Sequence, residues 1–227
     1  MLEEIEITGL GKVGRIEVLN IMGLRKGQSI LNIDAGSVEE RLKTIPAVRN
    51  ASVSFESRGC LTVQIAEREA AAIVKCGDRL MQMDLDGVLF SQAAADEKGT
   101  LPLMTGLCDS THNTGDRIDP RSLGLIREFL TAVDHSKSWL AGTAVNECAW
   151  SENGFTLVLG EKAVPVDIGK DAFEQKITKL RNVIDTLNER DWADLVTRID
   201  LDYPDKVFLE GAFPVPKPAH GPAKQPG

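Results

Sequence analysis

The sequence predicts an α+β protein in two parts: a β-α-α-β-β module over residues 1–70, then a mixed α/β domain over residues 71–212 with a mainly antiparallel sheet and two helices. Three observations predict it. Runs such as EIEIT, VRNASVSF and CLTVQIAE alternate apolar and polar residues, so each covers a core with one face only. The turn pairs Gly77-Asp78, Asp86-Gly87 and Asn153-Gly154 fall between such runs, where hairpins need them. Two longer segments carry one apolar stripe at spacings of three and four, the mark of a helix lying on a sheet.

In the first module, EIEIT (Glu4–Thr8) is a half-buried strand. Val13, Ile16, Leu19 and Ile21/Met22 predict a helix of about three turns, ended near Gly23. SILNI (Ser29–Ile33) reads as a brief extended segment. Ser37 and Glu40 form a capping-box pattern ahead of a helix bearing Val38, Leu42 and Ile45, which stops at Pro46. VRNASVSF and CLTVQIAE then make a hairpin around Ser57-Arg58-Gly59.

In the second part, AAIVK and RLMQMD are strands split by Gly77-Asp78, and Asp86-Gly87 turns the chain into VLF. LPLMTG follows, then an exposed polar loop, CDSTHNTGD. Asp119-Pro120 starts a helix with Leu123, Ile126, Phe129/Leu130 and Val133 on one face. NECAW and FTLVLG form a hairpin, and AVPVDIG is a further strand. A second helix, from Asp171 to Arg190, presents Phe173, Ile177, Leu180, Ile184 and Leu187. VTRIDLDY and KVFLE close the domain, joined by Pro204-Asp205. Residues 213–227, FPVPKPAHGPAKQPG, read as a disordered or polyproline-like tail.

Composition narrows the function. A net charge of −8 without a dense basic cluster argues against nucleic acid or an anionic membrane face as partner. No apolar run is long enough to span a bilayer, and Met1 leads straight into Glu3 and Glu4, so no signal-peptide pattern is visible. The chain reads as cytoplasmic, or as an extracytoplasmic fragment without its targeting segment. Cys60, Cys76, Cys108 and Cys148 are scattered and read first as small buried hydrophobes, with a metal site or disulfide as the alternatives. His112, His135 and His220 read as solvated.

One motif suggests a cofactor. Gly9, Gly11 and Gly14 spell G-x-G-x-x-G, and Asp34 follows 20 residues after Gly14, the spacing of a dinucleotide site. A dinucleotide fold needs continuous apolar strands and a further βαβ crossover. Here the strand before the glycines is polar on one face, and a hairpin follows the second helix. No cofactor is expected, the glycines are read as a loop into a helix, and an NAD-dependent oxidoreductase stays a rival reading. No nucleophile–base pair, metal-ligand cluster or G-x-S-x-G appears, so the chain reads as non-enzymatic.

Eight segments in a fixed order carry a resemblance. They are IEITG, GQSILNID, IPAVRNASV, the Glu67-Arg68 pair, MDLDGVLF, LPLMTG, FTLVLG and RIDLDY. With them the chain resembles the extracytoplasmic part of the bacterial cell-division family FtsQ, called DivIB in some bacteria. The resemblance implies a POTRA domain over 1–70, then a β domain over 71–212, preceded in family members by one membrane-spanning helix. It implies a periplasmic location at the septum and a scaffold that links early to late division proteins by capturing the FtsB–FtsL pair. The capture is by strand addition to the last strand of the β domain. The chain departs from the family at Asp202, where Arg is common, and near Lys206, where Gly is usual.

That implication nominates Asp202, Tyr203, Lys206, Val207, Phe208, Leu209, Glu210 and Gly211 as the partner-binding residues. Five main-chain bonds at about 1 kcal/mol each do not meet the cost of association, so side chains must add to them. Tyr203, Phe208 and Phe213 are the candidates, and alternation turns either Phe208 or its neighbours Val207 and Leu209 towards the core. Asp202 and Glu210 would favour a basic residue on the partner. The POTRA module offers a second contact surface with no residues assigned. A POTRA-containing assembly or secretion component is the other rival reading.

Overall fold

The computed structural model describes residues 1–56, 59–94, 101–136, 139–140, 145–203 and 205–214. The loop residues Ser57 and Arg58, Pro204, His220 and the tail from residue 215 lie outside these.

The first module contains β1 (Glu4–Thr8), α1 (Arg15–Met22), α2 (Ala35–Leu42), β2 (Val48–Phe55) and β3 (Cys60–Glu67). Its three-stranded sheet runs β1-β3-β2, with β1 parallel and β2 antiparallel to β3. Val18 and Met22 of α1 and Val38 and Leu42 of α2 are fully buried against Leu61, Val63 and Ile65 of β3. This apolar layer is what fixes the β3 register: a one-residue slip would turn all three outwards.

Three local expectations change. Ser29–Ile33 is not extended: Ile30–Asn32 is a 3₁₀ turn, because the Asn32 and Ile33 N–H groups bond back to Ser29 and Ile30. The α2 cap is Asp34 rather than Ser37: its carboxylate accepts from the Gly36 N–H (3.1 Å) and the Ser37 hydroxyl (2.6 Å). The Ser37 hydroxyl holds that carboxyl below the usual range. Helix α1 has 8 residues, a little over two turns, and ends where Gly23 adopts φ +64°.

The second domain contains β4 (Ala72–Cys76), β5 (Arg79–Met83), β6 (Leu89–Gln92), β7 (Leu103–Thr105), α3 (Pro120–His135), β8 (Val145–Ser151), β9 (Gly154–Leu159), β10 (Val164–Gly169), α4 (Phe173–Glu189), β11 (Val196–Asp200) and β12 (Phe208–Gly211). They form one nine-stranded sheet in the order β12-β11-β10-β9-β8-β7-β4-β5-β6. Five of its neighbouring pairs are antiparallel; β10–β11, β8–β7 and β7–β4 are parallel. Asp119 caps α3 by accepting from the Arg121 N–H, with Pro120 in the first turn. Phe129 of α3, Phe155 of β9 and Phe173 of α4 meet in the core, the first two stacked at 3.9 Å and Phe173 edge-on to both at 5.5 Å.

The cysteines do not all behave as small hydrophobes. Cys76, at the end of β4, is disulfide-bonded to Cys108, just past the neighbouring strand β7. Parallel pairing of β4 with β7 brings the two ends together, with 5.0 Å between the Cα atoms. Cys60 and Cys148 are free thiols, and burial pushes the Cys148 thiol up to about 12.

The two domains meet at the Glu67-Arg68 pair. Arg68 donates to Pro46 O (3.0 Å) and to the Asp84 carboxylate (2.5 Å), and both charged side chains are nearly buried. Asp84 also accepts from the N–H groups of Asp86 and Val88, both at 2.9 Å, closing the β5–β6 turn.

Candidate functional site

A partner strand can be accepted only where a sheet edge is open. Three of the four edges have outward groups engaged. On β1, Arg15 donates to Ile5 O (3.1 Å). On β2, the Val53 N–H is taken by the Glu39 carboxylate of α2 (2.8 Å). On β6, the Leu89 N–H bonds to Asp116 O and the Gly115 N–H to Leu89 O. On β12, no side chain or loop bonds to the outer side among the described residues.

The direction of each β12 residue follows from the ladder. The Leu201 N–H donates to Asp167 O of β10, so Ile199 and Leu201 face β10, and Arg198 and Asp200 face β12. Their partners Glu210 and Phe208 therefore turn their main-chain groups inward, as Ala212 does to Leu195 O. Alternation leaves the N–H and C=O of Leu209 and Gly211 pointing off the edge.

Side chains alternate across the sheet. Leu209 lies opposite buried Ile199 on the face covered by the helices, and Val207 packs at the margin of that core. Phe208 and Glu210 lie on the open face, opposite Asp200 and Arg198. Phe208 meets Tyr203 edge to face at 4.8 Å, and each remains 49% exposed. Gly211 has no room for a side chain: a Cβ there would sit 2.3 Å from Leu195 O. Phe213 lies against Trp192 (5.6 Å), beyond the end of the strand.

Helix α4 supports this edge through two lysines that the sequence reading passed over. Lys179 Nζ donates to Tyr203 O (3.1 Å) and Lys206 O (2.9 Å), drawing together the two ends of the turn. Lys176 is buried and donates to Ile168 O (2.8 Å), Asp171 (2.7 Å) and Asp202 (2.9 Å). Burial works against its charge, but the two carboxylates outweigh it and hold the ammonium above its ordinary value. Asp202 is thus paired within the protein, with its side chain still 51% exposed. Of the two acids expected to greet a basic partner, Glu210 alone has no ion pair among the described residues. The spacing of Lys176 and Lys179 on one helix face was the available signal.

The glycine motif has another explanation. The Glu67 carboxylate accepts from the N–H groups of Gly11 (2.7 Å), Lys12 (2.8 Å) and Val13 (2.9 Å), filling the cradle a phosphate would need. Gly9 adopts φ +80°, and a Cβ there would lie 2.0 Å from Ile65 O, so it is required by close approach to β3. Asp34 caps α2. Among the described residues no His/Cys/Asp/Glu group could hold a metal ion.

Comparison with known proteins agrees with this architecture. Residues 1–68 match the model of the FtsQ-type POTRA domain, and residues 72–202 match that of the C-terminal domain of cell division protein FtsQ/DivIB. The chain is 29% identical over 213 residues to the cell division protein FtsQ of Geobacter sp. (strain M21), covering 92% of this chain and 75% of that one. It is 27% identical over 213 residues to FtsQ of Geotalea daltonii, with the same coverage of both chains. FtsQ of Mycobacterium tuberculosis is 35% identical over 88 residues, 39% of this chain and 28% of that one. The β-α-α-β-β module, the nine-stranded sheet behind it and both domain matches give one conclusion: the chain belongs to the FtsQ/DivIB family of non-enzymatic cell-division proteins.

Proposed function

We propose that the protein is a division scaffold that captures the FtsB–FtsL pair by adding a partner strand to β12, and so links early to late septal proteins. The observation that carries this reading is the contrast among the four sheet edges, of which β12 alone has its outer side unoccupied among the described residues. Leu209 and Gly211 supply the main-chain groups, Phe208 and Tyr203 an exposed aromatic contact, and Val207 and Lys206 the lead-in from the turn. Main-chain bonds at about 1 kcal/mol each leave a deficit against the cost of association, which the two rings and Leu209 reduce by burial.

The working location is the periplasmic face of the inner membrane at the septum, with a membrane anchor in the full-length protein. The Cys76–Cys108 disulfide supports this, since such bonds persist in oxidising compartments. None of the helices described is long and apolar enough to cross a membrane.

Calorimetric titration with the soluble part of the cognate FtsB–FtsL pair tests the reading. The Leu209 N–H points off the edge, so Leu209→Pro removes no ladder bond and should fold, yet it deletes the central donor for an added strand. Binding by the parent and at least tenfold weaker binding by folded Leu209→Pro is expected. Equal affinities would move the site off β12.

A further inference from the structure

We infer that the β12 edge selects an extended segment carrying a basic and an apolar side chain two residues apart, the basic one beside Glu210 and the apolar one beside Phe208. This rests on the strand-addition reading and specifies the partner chemistry for that edge.

The pattern follows from the pleat. A strand added to Leu209 and Gly211 puts its residue opposite Leu209 on the helix-covered face. The residues flanking it fall on the open face, one beside Phe208 and one beside Glu210. The apolar demand comes from the Tyr203–Phe208 pair, two half-exposed rings at 4.8 Å that an aliphatic side chain would cover.

The charge demand comes from what remains after internal pairing. Arg198 is the cation across from Glu210, but it is engaged by Asp167, with Nε at 2.9 Å and Nη2 at 2.6 Å from the same carboxylate oxygen. Asp167 also accepts from the Thr156 hydroxyl (2.9 Å). Asp200 accepts from the Asp202 N–H, and the Asp202 carboxylate is held by Lys176. Asp205 and Lys206 stand side by side, exposed in the turn, and offset each other. Among the described residues, Asp167, Asp200 and Glu210 outnumber Arg198 on the open face of β10–β12, and Glu210 has no ion pair at the edge itself. A like charge brought beside Glu210 would be repelled, so the acid discriminates as well as attracts.

The test follows the amide resonances of the 15N-labelled chain during titration with capped heptapeptides. The first is acetyl-Thr-Thr-Arg-Val-Leu-Thr-Thr-amide, run in this order and reversed, since the chain direction sets which end is basic. The second pair has Glu in place of Arg. Shifts at Leu209 and Gly211 are expected, with one Arg order binding about fivefold or more tighter than its Glu counterpart. That preference should vanish in Glu210→Gln while the shifts persist. Equal binding of Arg and Glu peptides at β12, or an unchanged preference in Glu210→Gln, would overturn the inference and leave strand addition standing. No shift at Leu209 and Gly211 with any peptide would overturn both.

Discussion

Glu67 shows how one residue can account for a motif that points elsewhere. Its carboxylate accepts three backbone N–H groups at the start of α1. Burial raises its pKa, but those bonds outweigh burial and hold the carboxyl below its ordinary value of 4.5. A carboxyl lowered by folding stabilises above its unfolded value and loses that effect as the pH falls through the lowered one. Glu67→Ala should therefore cost on the order of 1 kcal/mol near neutral pH, since solvent screens a carboxylate this accessible. In urea denaturation the gap from the parent should narrow as the pH drops below 4; a constant gap would mean the charge is not what stabilises. None of this was legible locally, because Gly11 and Glu67 are 56 residues apart and only the parallel β1–β3 pairing joins them. The Asp202 ion pair was hidden for the same reason: its partner, Lys176, lies 26 residues away on α4.

The hairpins β2–β3, β4–β5 and β8–β9 were legible, since alternation and a turn pair are local signals. So were α3 and α4, whose stripes face the sheet. Ile30–Asn32 was not, because two apolar residues, Ile30 and Leu31, carry no period and Gly27 and Asp34 decide the path on either side. The inward or outward facing of Phe208 was also beyond sequence: alternation gives two solutions, and the register that sets Leu209 opposite buried Ile199 and Phe208 opposite Asp200 selects one. Strand β12 spans 4 exposed residues, so its order depends on what grips its ends. Lys179 grips the turn end. Lys179→Met should leave the far-ultraviolet spectrum unchanged and speed hydrogen exchange at the Phe208 and Glu210 amides roughly tenfold. Exchange at the parent rate would show that β11 pairing alone holds the strand.

Over the whole molecule, two features unite distant parts. Arg68 binds Pro46 O of the first domain and Asp84 of the second, so two of the eight segments that carried the family resemblance, Glu67-Arg68 and MDLDGVLF, meet at the interdomain joint. The disulfide closes a separation of 32 residues between β4 and the loop after β7. Replacing Cys76 and Cys108 by Ser should lower stability by about 3–4 kcal/mol. Dithiothreitol should lower the Tm of the parent and not of that variant; an unshifted parent would mean that the bond does not form. The pairing escaped the sequence reading because it depends on strand order, which spacing does not reveal. The unfilled side of β12 has one more consequence. A sheet that ends in an available ladder is a template for its own copies as much as for a partner. Glu210 at that margin, on a chain of net charge −8, sets two copies against each other electrostatically. On the strand-addition reading, the acid that would admit a basic guest would also oppose edge-to-edge pairing of copies, so tolerance of crowding and choice of partner would be inherited together.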